Sequence, residues 1–596
     1  MTQAPGRVLE GLFNPRGIAI VGASGDVTRF GGQTVRALNT SGYAGGVFPV
    51  NPKYTEIDGR RCYASIAQID GPCDLAVIAL PAAQVPGAVR QCGEHGIRYA
   101  VVLGGGFREM GADGAKLEAD MLRVAREGSV RLVGPNCIGL VNVHDNVIAA
   151  FGSMTRPPQL QPGQVSVAVQ SGGFGMSVVI RCAMQGVGFR YIVASGSESD
   201  VTMPELIDAY VDDPETRVIF AYIEGVADGR ALMTSLRRAL AAGKPVVVWK
   251  GGKTGQGARA AQSHTANLTS TYDIYRAALR QCGAVEVSDA DQAVDFLLAY
   301  APERLPHGRN VAVVTNTGGS AVVFCDAADA AKLTLASLSE ASRARLRALL
   351  PPLAAVDNPI DTTAGYPRPE HEANFRGAFE AILADSSVHQ LCVLFGTIMG
   401  RTFELSTRVL ADAAQKSGKP VFGFSAVPRE ISSEGHEHLR RAGIPLFDSL
   451  TRAACTMGLL ADYAEARQVV AGGQLPALKG DPTVLPEGAC TLDEHESKRV
   501  LSAAGLTVTA DTALALEPDP EILKRLAYPI ALKLVSRDIA HKSDIGAVRL
   551  DLPNPAALAR AAAEMVARVR NAAPHAMLSG LLVCEMVTDG VETIVG

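Results

Sequence analysis

The chain has 596 residues, of which 47% are hydrophobic and 20% are charged, and its formal net charge is −5. At about 150 residues per domain this length predicts roughly four globular domains, and the near-balanced charge favours no nucleic-acid partner. The 11 scattered cysteines contain no CxxC pair, which argues against disulfide frameworks and zinc sites, and the lack of a signal-peptide pattern and of any apolar run of roughly 18 residues predicts a cytoplasmic protein with no membrane partner.

Residues 1–148 contain short apolar runs that predict buried parallel strands. The runs are Gly17–Val21, Leu75–Leu80, Ala100–Leu103 and Arg131–Val133. Each is followed by glycine or proline, and helical patterns separate them. This alternation is typical of a doubly wound, Rossmann-like α/β domain.

The first of these runs leads into a glycine-rich turn, Val21–Asp26, with the sequence VGASGD. It is neither the GxGxxG of a dinucleotide site nor the GK[ST] of a P-loop, so a plain tight turn is an alternative to phosphate binding. Asn51–Lys53, Gly104–Phe107 and Gly134–Cys137 follow three further predicted strands. Because the carboxyl ends of parallel strands meet at one edge of a sheet, these turns together predict a ligand site there.

An internal repeat follows the first domain. Residues 166–179 and 310–323 read SVAVQSGGFGMSVV and NVAVVTNTGGSAVV, and each copy later contains a Gly-Lys-Pro-Val segment before a strand. Each copy therefore predicts a strand, a tight turn and a helix start. We interpret residues 149–305 and 306–468 as two doubly wound, flavodoxin-like α/β domains. No catalytic role is assigned in the second copy.

The composition changes after the repeat. Residues 469–489 are rich in glycine and proline and predict a linker. Within residues 490–596, the segments YPIALKLVS and GAVRLDL alternate like antiparallel strands, which predicts a fold of a different, α+β class. The last residues read as a strand with nothing after it, so we expect this domain to continue beyond residue 596.

The motifs of the first domain resemble those of a known family. The segments VGAS, VFPVNPK, GGGF and GPNCIG are similar to the CoA-binding domain of succinyl-CoA synthetase and of the ADP-forming acetyl-CoA synthetases. The resemblance implies bound CoA, with contacts from Gly22, Ser24, Lys53, Pro81 and Asn136. A NAD-dependent dehydrogenase would instead place an acidic residue after the second strand, where this chain has the basic Lys53.

In the second domain the resemblance falls on Gln262–Ala266, with the sequence QSHTA. It implies that His264 is phosphorylated, which suits a neutral imidazole as nucleophile. The corresponding stretch of the second repeat has no such motif, so the histidine is not part of the shared scaffold. By the same resemblance Glu224 orients the histidine. Ser171, Gly172 and Gly173 open a helix whose N–H groups could hold the phosphoryl group; ordinary helix capping by Ser171 is the other interpretation, and both can hold at once.

The fourth segment resembles the first part of an ATP-grasp domain. The strand ALKLVS is followed by HKSD and by Gly546–Val548, where the family often has Gly-Gly-Val. The resemblance implies that Lys533 contacts nucleotide phosphates, that His541 relays the phosphoryl group and that Glu585 lies on the strand beside the adenine. ATP and Mg²⁺ are the expected cofactors beside CoA. No metal ligand is assigned in this sequence, and GTP stays open as an alternative to ATP.

These observations predict an NDP-forming acid–CoA ligase that works reversibly through an acyl phosphate and a phosphohistidine. Its partners would be a small carboxylic acid, CoA and a second copy in a homodimer, and the sequence does not name the acid. One alternative is a CoA-sensing or protein-acylating relative with decayed ligase machinery, although this chain keeps both His264 and His541. Another is a ligase that adds a second reaction to the CoA adduct.

Overall fold

The computed structural model describes residues 9–155, 160–257, 272–363, 368–472, 492–503, 505–539 and 542–587. The chain divides into two compact units, Met1–Gly473 and Gln474–Gly596. The α-helices of the first unit are Glu10–Phe13, Phe30–Ser41, Val85–His95, Ala112–Glu127, Gly172–Met184, Met203–Asp212, Gly229–Ala241, Tyr272–Gln281, Ala290–Tyr300, Gly318–Ala330, Glu340–Leu349, Glu372–Ala384, Gly400–Gln415, Ser433–Arg441 and Leu450–Gly472. Short 3₁₀ turns cover Ile66–Gln68, Ala82–Gln84, Arg108–Met110, Gly152–Thr155 and Pro369–His371.

The first sheet is parallel and is formed by the predicted apolar runs. Its strands are β1 (Gly17–Val21), β2 (Gly46–Val50), β5 (Leu75–Ile78), β6 (Tyr99–Val102) and β7 (Arg131–Val133), in the order β2-β1-β5-β6-β7. Strands β3 (Glu56–Ile57) and β4 (Arg60–Arg61) form a separate hairpin. All five residues of β1 are buried, as expected of a strand covered by helices on both faces. The prediction of a Rossmann-like α/β domain is confirmed.

The second and third sheets repeat one topology. The parallel strands of the second sheet are β10 (Pro162–Val169), β11 (Phe189–Ala194), β12 (Val218–Ile223), β13 (Val246–Lys250) and β14 (Val285–Val287). Those of the third are β15 (Asn310–Thr315), β16 (Thr334–Leu335), β17 (Ile360–Asp361), β18 (Gln390–Gly396), β19 (Val421–Ser425) and β20 (Leu446–Phe447). The orders β14-β13-β12-β10-β11 and β16-β15-β18-β19-β20 are both the flavodoxin-like order 2-1-3-4-5. This agreement confirms the fold read from the repeat.

A hairpin joins the first sheet to the second. Strands β8 (Gly139–Asn142) and β9 (Val147–Ala150) extend the second sheet through antiparallel pairing of β8 with β11. The Thr34 hydroxyl, on the helix Phe30–Ser41, donates to the Ala150 carbonyl at 2.9 Å. The second sheet thus begins before the predicted boundary at residue 148, because the hairpin pairs with a strand about 50 residues further along the chain.

The helix Leu450–Gly472 links the second and third sheets. Arg452 forms a bidentate ion pair with the buried Asp295 at 2.7 and 2.8 Å, and Arg309 forms one with Glu465 at 2.7 Å through each of two nitrogens. A single hydrophobic core therefore runs through residues of all three sheets.

The second unit has a different architecture. Its sheet has the order β21-β24-β22-β23, and its three strand pairings are all antiparallel. The strands are β21 (Asp511–Leu514), β22 (Ile530–Val535), β23 (Val548–Leu552) and β24 (Gly580–Glu585), and the helices are Glu494–Ala503, Pro520–Leu523 and Pro555–Ala572. This arrangement confirms the predicted change to an α+β fold. No helix among the residues described in either unit combines the length and apolarity required to cross a membrane.

Candidate active site

Four of the five residues predicted to bind CoA line one cleft of the first domain. Gly22, Ser24, Lys53 and Pro81 surround a volume of about 1050 Å³ where β1, β2 and β5 end. Asn136 follows β7, three strands from β1, and does not line this cleft. At about 4.8 Å between neighbouring strands, β7 lies some 14 Å from β1 across the sheet. The structure therefore brings four of the five predicted residues together.

The turn beside this cleft depends on glycine. Gly22 has a φ of +87°, and its N–H donates to the Val50 carbonyl at 3.0 Å. A Cβ atom on Gly31 would lie 2.3 Å from the Gly22 carbonyl oxygen, so the following helix approaches the turn more closely than any side chain permits. Phe30 and Gly31, at the start of this helix, line the cleft, where the positive end of the helix dipole would stabilise an anion.

The cleft contains a second cation that the sequence analysis missed. Arg29 precedes the helix Phe30–Ser41 and lines the cleft together with Lys53. Its guanidinium lies 3.7 Å from the Asp26 carboxylate, and its side chain is largely exposed. The only sequence signal was a basic residue next to a glycine-rich turn, which is common on surfaces. Two exposed cations at one edge suit the phosphate groups of a nucleotide ligand.

We expect Gly22→Ala to weaken CoA binding by at least tenfold, because the new Cβ would lie 2.5 Å from the Ala79 carbonyl oxygen at a φ of +87°. Titration calorimetry with CoA measures the effect. Gly96→Ala is the matched control, since Gly96 has a φ of +86° but no atom within 4 Å of its Cβ position. Equal losses of affinity in both variants would contradict this role of the turn.

The second cluster lies where β10 and β12 end. Ser171 precedes the helix Gly172–Met184, and its side chain makes no capping hydrogen bond, so the capping alternative is not what the structure shows. A Cβ on Gly172 would lie 2.3 Å from the Ile138 Cγ1 atom, whereas the Cβ position of Gly173 has no atom within 4 Å. Backbone N–H groups at an open helix start are a suitable site for a phosphoryl group.

Gln170 ties this helix start to Glu224. Its Oε1 atom accepts the backbone N–H groups of Glu224 at 2.6 Å and of Gly225 at 3.1 Å, and its Nε2 atom donates to the Gly225 carbonyl at 2.6 Å. The Gln170 side chain is buried. The sequence analysis missed this residue, because a single polar residue at the end of a strand carries no pattern. It fixes the main chain at Glu224 relative to Ser171.

Glu224 is buried between a hydroxyl and an ammonium group. Burial, together with the nearby Glu224 carboxylate, raises the pKa of the Tyr222 hydroxyl to about 12. The Lys250 ammonium donates to the main-chain carbonyl of Glu224 at 2.7 Å and also to that of Gly251. Burial lowers the pKa of Lys250 to about 8, so it is still mainly a cation at pH 7. A carboxylate held in this way can orient an imidazole.

His264 lies outside the described residues, but both ends of its segment are described. The Lys253 ammonium donates to the Glu286 carboxylate at 2.8 Å, and the Tyr272 hydroxyl donates to the same carboxylate oxygen at 2.5 Å. Lys253 and Tyr272, which flank residues 258–271 in the sequence, therefore contact the same point on β14. That point lies one strand from Lys250 and two strands from Glu224.

The second unit places three lysines around one carboxylate. Lys533 on β22 donates to Glu494 Oε1 at 2.7 Å, and Lys542 donates to Glu494 Oε2 at 3.4 Å. Burial by itself raises the pKa of Glu494, but the hydrogen bond from Lys533 and the charges of Lys533, Lys542 and Lys498 hold it below its ordinary value. Lys498 itself pairs with Asp511 at 3.5 Å, so Lys533 and Lys542 are the two cations that contact Glu494 among the described residues. Two adjacent lysines of this kind suit a polyphosphate.

The other predicted nucleotide residues are placed differently. Glu585 ends β24, and its side chain accepts the N–H of Ala510 at 3.0 Å. His541 lies outside the described residues. Within the described ranges, no group of three or more His, Cys, Asp or Glu side chains is arranged to hold a metal ion.

Family models match the chain in four consecutive segments. They are a CoA binding domain over residues 16–143, a succinyl-CoA ligase like flavodoxin domain over 162–300, a Ligase-CoA domain over 311–471 and an ATP-grasp domain over 483–596. Together these models span most of the chain in the order that the motifs predict.

Comparison with individual proteins agrees with these matches. The chain is 33% identical over 608 aligned residues to acetate–CoA ligase (ADP-forming) I of Archaeoglobus fulgidus, covering 99% of this chain and 84% of that protein. It is 27% identical to 4-hydroxybutyrate–CoA ligase (ADP-forming) of Nitrosopumilus maritimus, covering 100% of this chain and 84% of the relative.

A solved structure matches as well. The dinucleotide forming acetyl-coenzyme A synthetase 1 of Ca. Korarchaeum cryptofilum, in complex with phosphate and ADP, superposes with a TM-score of 0.71 at 32% identity, covering 78% of this chain and 98% of that chain. The order of the four matched domains and the 33% identity over 99% of the chain show that the protein belongs to the family of ADP-forming acid–CoA ligases, which join a carboxylic acid to CoA while ATP is converted to ADP.

Proposed function

We propose that this ligase works through a phosphohistidine at His264 and an acyl phosphate. The observation that supports this most strongly is the joint position of the open helix start at Gly172 and Gly173 and of the buried Glu224, which Gln170 connects by three hydrogen bonds. Lys253 and Tyr272, which flank the segment that carries His264, contact Glu286 two strands away in the same sheet. A phosphate-binding helix start, a buried carboxylate and a histidine are the groups that such a transfer needs.

Four displacements account for the net reaction. First, a ring nitrogen of the nucleotide-side histidine, His541, attacks the γ-phosphorus of ATP, so that the P–O bond to ADP breaks and a P–N bond forms. Second, a ring nitrogen of His264 attacks the same phosphorus, so that the P–N bond to His541 breaks and a P–N bond to His264 forms. Third, a carboxylate oxygen of the acid attacks this phosphorus, which frees His264 and gives an acyl phosphate. Fourth, the CoA thiolate attacks the acyl carbon and phosphate leaves. Each displacement is reversible, because the phosphoramidate and the acyl phosphate are both high-energy donors.

The described residues supply orientation and charge for these displacements. Glu224 accepts a hydrogen bond from one ring nitrogen of His264 and leaves the other as nucleophile. The N–H groups at the start of the helix Gly172–Met184 stabilise the negative oxygens of the phosphoryl group. The cleft around Gly22 and Lys53 holds CoA.

Acetyl-CoA and inorganic phosphate provide the test of this proposal, because the reverse half-reaction needs no nucleotide. After incubation at mildly alkaline pH, peptide mass spectrometry should find an acid-labile phosphate on His264. The experiment is repeated with butyryl-, hexanoyl- and phenylacetyl-CoA. Absence of phosphate with every acyl-CoA, together with tight CoA binding, would overturn the proposal and point to a CoA-sensing relative.

Nucleotide binding by the second unit leads to a separate prediction. We expect Lys533→Met to slow phosphorylation of the protein by ATP by about 100-fold, because one cation that faces the polyphosphate is lost. Phosphorylation from acetyl-CoA and phosphate should be unchanged. Radiolabel transfer from each donor measures the two rates. Lys524→Met is the control, since Lys524 is largely exposed and pairs with the nearby Glu521 at 2.6 Å. A fall in both half-reactions would contradict a nucleotide role for Lys533.

Several finer assignments belong to the same proposal. ATP with Mg²⁺ on its phosphates is the proposed nucleotide, although the described residues do not themselves fit a metal site. Glu585 is proposed to lie beside the adenine, Asn136 to contact CoA, and the enzyme to be a cytoplasmic homodimer. The named relatives act on acids of different length, so the family does not define the acid. Light scattering of the purified protein tests the dimer, and initial rates with ATP and GTP test the nucleotide.

A further inference from the structure

Three aromatic rings meet beside the proposed phosphoryl site. Phe174 follows Gly173 in the first turn of its helix, and Tyr222 and Trp249 are opposite each other on β12 and β13. The Phe174 ring centroid lies 4.9 Å from that of Tyr222 and 4.8 Å from that of Trp249, and the latter two are 6.0 Å apart. These tilted and edge-on arrangements are favourable for aromatic pairs. We call this group the aromatic cluster.

The aromatic cluster is only partly covered by the protein. Phe174 is 41% exposed, and Tyr222 and Trp249 are half-buried. Packing among the three rings explains the buried part of Phe174 but not the part left in water. The start of a helix does not itself require a phenylalanine, because a smaller or polar residue is equally stable there. An apolar surface of this kind beside a polar site is typical of a surface that a ligand covers.

The position of the aromatic cluster specifies which part of a ligand would cover it. Its polar side is the Tyr222 hydroxyl, whose pKa the nearby Glu224 carboxylate helps to raise, and its exposed side is the Phe174 ring, adjacent in sequence to Gly173. A carboxylate that attacks a phosphoryl group held at Gly172 and Gly173 carries its substituent on the next carbon atom. That substituent therefore lies within reach of the ring that follows these glycines.

We propose that the aromatic cluster contacts the acyl group, so that the enzyme prefers acids with an apolar chain or ring over acetate. This inference rests on the proposed phosphohistidine mechanism and names the class of acid for the same site. Each methylene group that covers the Phe174 ring should raise kcat/KM by roughly fourfold, as burial of apolar surface predicts. An aryl substituent would add the edge-to-face contacts that the three rings already make.

The test is a series of acids with three proteins. For the unaltered chain, kcat/KM should rise at least tenfold from acetate through butyrate to hexanoate and phenylacetate. Phe174→Ala should flatten this series, with kcat/KM falling at least tenfold more for hexanoate and phenylacetate than for acetate, and Phe174→Leu should restore much of the dependence on chain length. Met184→Ala is the matched control, because Met184 is an exposed apolar residue (70%) at the other end of the same helix.

Trp249 offers a second readout that does not depend on turnover, because it is the only tryptophan of the chain. Hexanoate or phenylacetate, added with CoA but without nucleotide, should change its fluorescence, and acetate should change it much less. The change should be lost in Phe174→Ala at unchanged melting temperature.

The outcomes separate this inference from the mechanism on which it rests. Absence of phosphohistidine and turnover with every acid would remove the mechanism itself. Turnover with an equal kcat/KM for acetate and hexanoate, unaffected by Phe174→Ala, would leave the mechanism and overturn the role of the aromatic cluster. A fluorescence change on phosphorylation alone, with no response to any acid, would also overturn it.

Discussion

His264→Asn is expected to abolish ligase activity, with a loss of at least about 1000-fold, and to remove the acid-labile phosphate from the protein. Transfer between the two donors passes through a covalent phosphohistidine, and asparagine has no nucleophilic nitrogen that could form the P–N bond. Mass spectrometry of the variant after incubation with acetyl-CoA and phosphate, and with ATP, measures the modification. Asparagine is close to histidine in size and polarity, so the variant should fold.

Two further variants make this result specific. His575→Asn changes an exposed histidine of the second unit and should leave both half-reactions intact. His541→Asn should block labelling of His264 by ATP but not by acetyl-CoA and phosphate, if His541 is the relay. Full activity in His264→Asn would contradict the mechanism, and loss of labelling from both donors in His541→Asn would contradict the relay.

Glu224→Gln should slow phosphorylation of His264 by about 100-fold or more at unchanged affinity for CoA. The carboxylate accepts a hydrogen bond from the imidazole and stabilises the positive charge that the ring gains during transfer, whereas a neutral amide does neither as well. The change keeps the size of the side chain, and the Gln170 hydrogen bonds to the main chain at 224 and 225 should survive. The single-turnover rate of phosphate incorporation is the measurement.

Glu434→Gln serves as the control for this variant, because Glu434 is an exposed residue of the third domain (69%). A melting temperature is recorded for each protein, since the buried Tyr222 hydroxyl loses a charged partner in Glu224→Gln. If single-turnover rates are equal in Glu224→Gln and in the unaltered protein, Glu224 does not orient the histidine.

The sequence predicted the fold well wherever local pattern determines structure. The run Gly17–Val21 is β1 with the same bounds, and the repeat at 166–179 and 310–323 corresponds to two sheets of one strand order. Continuous apolar runs of β-branched residues between glycine turns have few alternatives to buried parallel strands. The antiparallel sheet of the second unit followed from alternation in the same way.

Features that depend on distant pairing were not predictable. The hairpin Gly139–Ala150 pairs with β11, and its own sequence does not indicate which strand it pairs with. Asn136 is distant from the CoA cleft because β7 lies three strands from β1. A motif at the end of a strand carries no information about the order of strands in the sheet. The bonds of Gln170 depend on the register of β10 against β12. His264 and His541, which the resemblance assigned, lie outside the described residues, so their roles stay predictions.

Lys253 and Tyr272 are both bonded to the Glu286 carboxylate, so they are fixed at the same point of the domain. His264 is eight residues from Tyr272, and covalent geometry keeps it within about 29 Å of that residue at ~3.6 Å per residue. If His264 is phosphorylated as proposed, its phosphoryl group would stay within the same distance of Tyr272. Within a sphere of that radius, its effective concentration for an acceptor would be at least roughly 10 mM. Diluting the enzyme would leave the rate of such a transfer within one chain unchanged.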